Sequence, residues 1–213
     1  SRVVLKNARD FDDVFKEYER NPDVLSISPN YLLTASDFPN DTEFGKLWAL
    51  HNTGQTGGTP DADIDAPEAW NITKAPASPA IVAVIDTGVD YTHPDLSQNI
   101  CTNEDEIAGN GVDDDGNGFI DDIRGWDMAS CAERDGSGAC VSPKARDNDP
   151  MDEHGHGTHV AGTIGAVGWN GVGVIGVNPY ALIMPLRFLD KNGTGTTSDA
   201  IDAIYYAGQN GAR

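Results

Sequence analysis

Positive charge is scarce in this chain. Only 14 Lys and Arg stand against 34 Asp and Glu, for a formal net charge of −20 at pH 7. Such an acidic excess argues against nucleic acid and anionic membrane surfaces as partners, because both are gripped by cationic side chains. It suits cation binding and a saline or extracellular setting. Long apolar runs are missing as well. No stretch approaches the ~20 residues that cross a bilayer, so no membrane-spanning role is expected. Cysteine is sparse, with Cys101, Cys131 and Cys140 alone. None of them forms the C-x-x-C spacing of a zinc or redox site, and the odd count leaves one thiol unpaired within the chain. Cys131 and Cys140 flank a Gly/Ser-rich loop and could close a small disulfide, which would imply an oxidising compartment.

What is present is an ordinary globular composition of 38% apolar and 23% charged residues. The 213 residues suffice for one domain and a small appendage. The appendage is expected over residues 1–35. Val3-Val4-Leu5 reads as a strand, and Phe11, Val14, Phe15 and Tyr18 recur at helical spacing up to Pro22. Val24 to Ser28 alternates like a second strand. This is too little chain for a core of its own.

Two stretches carry the chemistry. Ile81-Val82-Ala83-Val84-Ile85-Asp86-Thr87-Gly88 is an apolar strand that ends on an acid and a glycine. A buried strand delivering a carboxylate at its C-terminal tip is a common way for an α/β protein to build a site. Seventy residues later, Asp152-Glu153-His154-Gly155-His156-Gly157-Thr158-His159 sets three histidines within six residues, running into a small-residue helix expected over 157–168. A strand over Ile183–Leu189 and a helix from Asp199 to Gly208 follow, with Thr197 or Ser198 read as its N-cap. Strand, helix, strand, helix predicts a parallel α/β sheet. An acid at a strand tip and a histidine opening a helix make half of a nucleophilic triad, in which the acid fixes the imidazole tautomer and the histidine takes a proton from a hydroxyl.

A third stretch, Asp113-Asp114-Asp115-Gly116-Asn117-Gly118-Phe119-Ile120-Asp121-Asp122, places oxygen ligands at alternate positions around a glycine turn. Asp113, Asp115, Asn117, Gly118 and the Phe119 carbonyl match the opening of a calcium loop. The twelfth position is Arg124 rather than a bidentate Glu, so an Asp-rich calcium loop is expected and not an EF-hand. Asp121 and Asp122 are included among the candidate ligands, because clustered carboxylates need a cation.

The segments Val84 to Asp90 with His93-Pro94-Asp95-Leu96, and His156-Gly157-Thr158-His159-Val160-Ala161-Gly162-Thr163, resemble the aspartate and histidine motifs of the subtilisin-like serine proteases. The likeness extends to Leu50-His51-Asn52-Thr53-Gly54-Gln55 and Ile64 to Trp70. It implies a subtilisin-like parallel sheet flanked by helices, here partial over residues 36–213. It also implies that a small α+β pro-segment remnant, residues 1–35, acts as an intramolecular inhibitor cleaved near Thr34 to Asp37. Asp86 and His156 become the catalytic acid and base of a secreted endopeptidase acting on polypeptides. His159 is then a packed structural histidine and His154 a loop residue. Leu189, Gly193, Thr194 and Gly195 resemble the edge that pairs with an extended substrate by backbone hydrogen bonds. A further calcium site is implied at Asp41, Asp95 and Asn170, with the carbonyls of Val167, Val172 and Val174.

The resemblance stops at the nucleophile. The family's serine lies in a Gly-Thr-Ser-x-Ala motif more than a hundred residues after the histidine, whereas 57 residues follow His156 here, with Ser198 the one serine among them. The sequence is therefore expected to be a piece, inactive by itself, of an active enzyme. Two other readings compete. His154-x-His156-x-x-His159 also fits the metallo-β-lactamase-type metal motif, but Thr158 stands where that motif has its aspartate. A non-enzymatic calcium-binding module would account for the acidic loop and leave Asp86 and His156 unexplained.

Overall fold

The architecture follows from where the apolar runs fall. The computed structural model describes residues 16–24, 38–72, 75–76 and 78–212. The chain divides into two compact units, Ser1–Ala35 and Ser36–Arg213. In the first, residues 16–19 are helical and 20–24 turn away from the helix. The strands expected at Val3 to Leu5 and Val24 to Ser28 fall wholly or largely outside the described residues.

The second unit runs α1 (Ala66–Ile72), β1 (Ile81–Asp86), β2 (Trp126–Asp127), β3 (Cys131–Arg134), β4 (Cys140–Pro143), α2 (His156–Gly165), β5 (Leu182–Arg187) and α3 (Thr197–Gln209). β1 pairs in parallel with β5 from Ile81↔Leu182 to Asp86↔Arg187, and β2 adds on the far side of β5. The period of two along the strands sorts their side chains between two cores. Val84 and Ile183 turn to one face with Val89, Leu96, Ile100 and Ala161 of α2. Met184 and Leu186 turn to the other, against Ala203, Tyr206 and Ala207 of α3. Helices thus cover both faces of a parallel sheet, as the sequence order predicts.

Small residues let α2 sit close to the sheet. A Cβ at Gly165 would come within 3.2 Å of Ile183 Cδ1, and one at Gly157 would come within 2.0 Å of the Gly88 carbonyl. α2 is shorter than expected, because Ala166 turns to an extended conformation (φ −58°, ψ 142°). α3 begins two residues earlier than expected. Its N-cap is Thr196, whose hydroxyl accepts from the Asp199 amide, rather than Thr197 or Ser198. β5 stops at Arg187 because the chain bends there: the amides of Phe188 and Leu189 both donate to the Asp86 carbonyl.

The insertion between β2 and α2 holds a hairpin, β3 and β4, which the sequence reading does not anticipate. It is stapled by the expected disulfide between Cys131 and Cys140. Cys101 is the free thiol; it is half-buried, and burial pushes its pKa up.

Candidate active site

Two segments meet at the C-terminal end of the sheet. β1 delivers Asp86, and the chain then turns at Gly88 (φ +99°) beneath residues 150–151. A Cβ at Gly88 would lie 2.4 Å from the Pro150 carbonyl, so only glycine fits that crossing. α2 starts at His156 behind Gly155, which takes φ +97°. The outcome is one contact: His156 Nδ1 lies 2.8 Å from each Asp86 carboxylate oxygen. Asp86 also accepts from the Thr87 amide at 2.7 Å. With Nδ1–H donated to the carboxylate, Nε2 is left as a proton acceptor. The His156 side chain is 61% exposed and that of Asp86 14%, so the base faces solvent while its partner is sheltered.

Asp152 organises this corner, and the sequence reading did not single it out. One of its oxygens accepts from the Thr87 hydroxyl and from the His154 and Gly155 amides. The other accepts from the Thr158 amide and hydroxyl. The Thr87 hydroxyl in turn accepts from the Gly157 amide, and the Thr158 hydroxyl from the Asp90 amide. The Asp86 turn and the first turn of α2 are thereby laced together. Burial alone would raise the Asp152 pKa, but the Thr158 hydroxyl and the amides of Gly155, His154 and Thr158 hold it down at about 2. Asp152 lies three residues ahead of the N-cap Gly155, outside the position where an acid reads as a helix cap, so its role emerges only from the fold.

The other histidines do not join the pair. The His154 ring centroid is 6.4 Å from that of His156, in an edge-on arrangement. His159 is exposed rather than packed. It borders an open apolar cavity of about 580 Å³ beside Leu47, Trp48 and Ile175. Among the described residues the three histidines form no metal-ligating group.

The expected substrate edge forms a narrow loop beside His154. Leu189 bridges Gly195 in antiparallel fashion, the Asp190 amide donates to the Thr194 carbonyl, and Gly193 takes φ +75°. A Cβ at Gly195 would strike the Phe188 carbonyl at 2.4 Å. Lys191 pairs with Glu133 of the disulfide hairpin at 2.8 Å.

The two calcium expectations fall in different settings. Asp113 and Asp115 converge with Glu106, and ligand oxygens of the three lie within 4.8 Å of one another. Glu106 is 7% exposed; it accepts from the amides of Asp114, Asp115 and Asp121. The sequence reading passed over it, since no regular spacing links it to the Asp run. Phe119 stacks edge-on with Trp126 and Tyr206. Asn117 donates to both Asp115 and Asp122. Asp121 instead accepts from the amides of Asn110 and Gly111. Asp122 is fully buried and receives the Tyr206 hydroxyl at 2.5 Å. At the second site, Asp41 and Asp95 are both buried and both bind the 167–174 loop. Asp41 accepts from the Trp169 amide, and Asp95 from Asn170 Nδ2 and the Val174 amide. Among the described residues, buried Asp41 Oδ1 has no hydrogen-bond partner.

A family model described as the subtilase family matches residues 78–213. The chain is 37% identical over its whole length to the "Thermophilic serine proteinase" of Bacillus sp. (strain AK1), of which it spans 41%. It is 36% identical over 196 residues to the "Extracellular protease" of Xanthomonas campestris pv. campestris, covering 92% of this chain and 30% of that one. Among solved structures, a protease from Pseudoalteromonas arctica PAMC 21717 matches at a TM-score of 0.53 and 31% identity, over 79% of this chain and 44% of its own. The chain spans less than half the length of each of these relatives.

Proposed function

The chain belongs to the subtilase family, its model matching residues 78–213, and we propose that it supplies the acid and base of a serine endopeptidase. The observation that carries this reading is the contact of His156 Nδ1, 2.8 Å from both oxygens of Asp86, with the imidazole otherwise open to solvent. In this reading Asp86 holds the tautomer and stabilises the imidazolium. His156 Nε2 takes the proton of a serine hydroxyl as that oxygen attacks the scissile carbonyl, then returns it to the leaving amine. The serine and the oxyanion donors come from outside these 213 residues. Leu189 and residues 193–195 pair with the backbone of an extended polypeptide substrate.

Calcium is proposed at both acidic positions. Glu106, Asp113 and Asp115, with Asn117 and the Phe119 carbonyl nearby in sequence, offer the hard oxygen donors that calcium takes. Asp41, Asp95 and Asn170 offer a second set, and the unpartnered buried Asp41 Oδ1 supports a cation there. Bound calcium neutralises these carboxylates and ties segments together; it takes no part in the proton transfers. Residues 1–35 are proposed as an inhibitory pro-segment. Secretion is supported by the disulfide and by an extracellular relative.

The test is peptide hydrolysis by the full-length gene product with and without a serine-directed fluorophosphonate. The reading expects hydrolysis that the reagent abolishes. Hydrolysis that resists the reagent and stops on zinc removal would replace it with a metallo-hydrolase.

A further inference from the structure

Arg187 closes β5, in register with Asp86 on one side and Asp127 on the other. It is 4% exposed, and a guanidinium is costly to bury unless its donors are met. Its Nη2 donates to Glu153 Oε2 at 2.5 Å, Nη1 to the Met151 carbonyl at 3.1 Å and Nε to the Leu189 carbonyl at 3.3 Å. Asp127 Oδ2 lies 3.6 Å from Nε. The hydrogen-bond partners belong to two different parts of the site, and the strand position adds a third. Met151 and Glu153 sit in the loop that leads into His156. Leu189 opens the edge bridged to Gly195. The strand position itself faces Asp86, whose carbonyl receives the amides of Phe188 and Leu189. A planar fork reaches such separated acceptors in fixed directions, which a single ammonium does not.

We propose that Arg187 is a positioning residue for peptide hydrolysis. Through Glu153 and Met151 it holds the loop that brings His156 onto Asp86, and through the Leu189 carbonyl it fixes the edge along which substrate lies. This rests on the serine-protease reading, so the experiment begins with fluorophosphonate labelling of the wild-type full-length product. Unlabelled enzyme is then assayed as wild type, E153Q, R187K, R187Q and the E153Q/R187Q double variant, on a short ester and on an extended peptide, beside thermal unfolding.

The Glu153 side chain is 56% exposed, so E153Q keeps the fold even where R187Q does not. E153Q is expected to lower kcat several-fold on both substrates, with Tm and the ester KM unchanged. R187Q is expected to lower kcat by about 10- to 100-fold, the scale of an ångström-level misplacement, and to raise KM for the extended peptide alone. R187K should recover part of kcat but not the peptide KM. The double variant should be no worse than R187Q, since both act through one contact. Wild-type kcat in both E153Q and R187K at wild-type Tm, or losses that simply follow Tm, would overturn the proposal. A wild type that takes up no fluorophosphonate would overturn the serine-protease reading, and the proposal with it.

Discussion

The corner around Asp86 and His156 and the acidic loop at 103–122 are both dense in carboxylates, yet they settle that charge differently. At the corner each acid has its own donors. Asp86 receives His156 and the Thr87 amide, and Asp152 receives hydroxyls and amides on both oxygens. Glu153 receives Arg187. In the loop, by contrast, Glu106, Asp113 and Asp115 draw backbone amides but converge on one another within 4.8 Å, and among the described residues no cationic side chain pairs with them. The difference separates a site whose acids are each met by their own donors from one whose carboxylates face one another, which is the arrangement that the calcium proposal addresses.

Four expectations sharpen or break that contrast. The largest concerns the corner. His156→Ala should lower kcat/KM of the full-length product by at least about 10⁴-fold, measured by peptide hydrolysis; an active variant would show that the pair is not the base system. Next comes the loop. Removing free calcium should lower the Tm of the full-length product by roughly 5–10 °C, and Glu106→Gln should remove part of that sensitivity. A Tm indifferent to calcium and to chelator would mean the loop is as self-sufficient as the corner.

Asp152→Asn is expected to cost about 1–3 kcal/mol by denaturant titration. Its pH dependence has a definite sign. The folded pKa, about 2, lies below the ordinary aspartate value of 3.8. Its contribution is therefore complete above about pH 4 and lost as pH falls towards 2. In the asparagine variant the acid limb of the stability curve should flatten in that window. The smallest effect is His154→Ala, whose activity should stay within about threefold of wild type. A folded but dead variant would move the base from His156 to His154.

Much of this was legible in the sequence. The apolar run into Asp86 gave β1, the glycines around His156 gave a helix start, and the spacing of Cys131 and Cys140 gave the disulfide that is present. What escaped were residues whose roles arise only when distant segments meet. Glu106 acts from outside the periodic Asp run. Arg187 reads as one position inside the expected 183–189 strand until its partners at Met151 and Glu153 come within reach. β2 is two residues long, too short for any periodicity. His159 was expected to pack, as the resemblance implies for a histidine one turn into the helix that is not the base, but it is exposed and borders an open cavity.

The most direct test of the central claim is an NMR spectrum of the full-length product with ¹⁵N-labelled histidine. The account predicts a strongly downfield Nδ1–H proton assigned to His156, present in wild type and His154→Ala and lost in Asp86→Ala. Absence of that proton from wild type, or its survival in Asp86→Ala, would contradict the pairing on which the proposed chemistry depends.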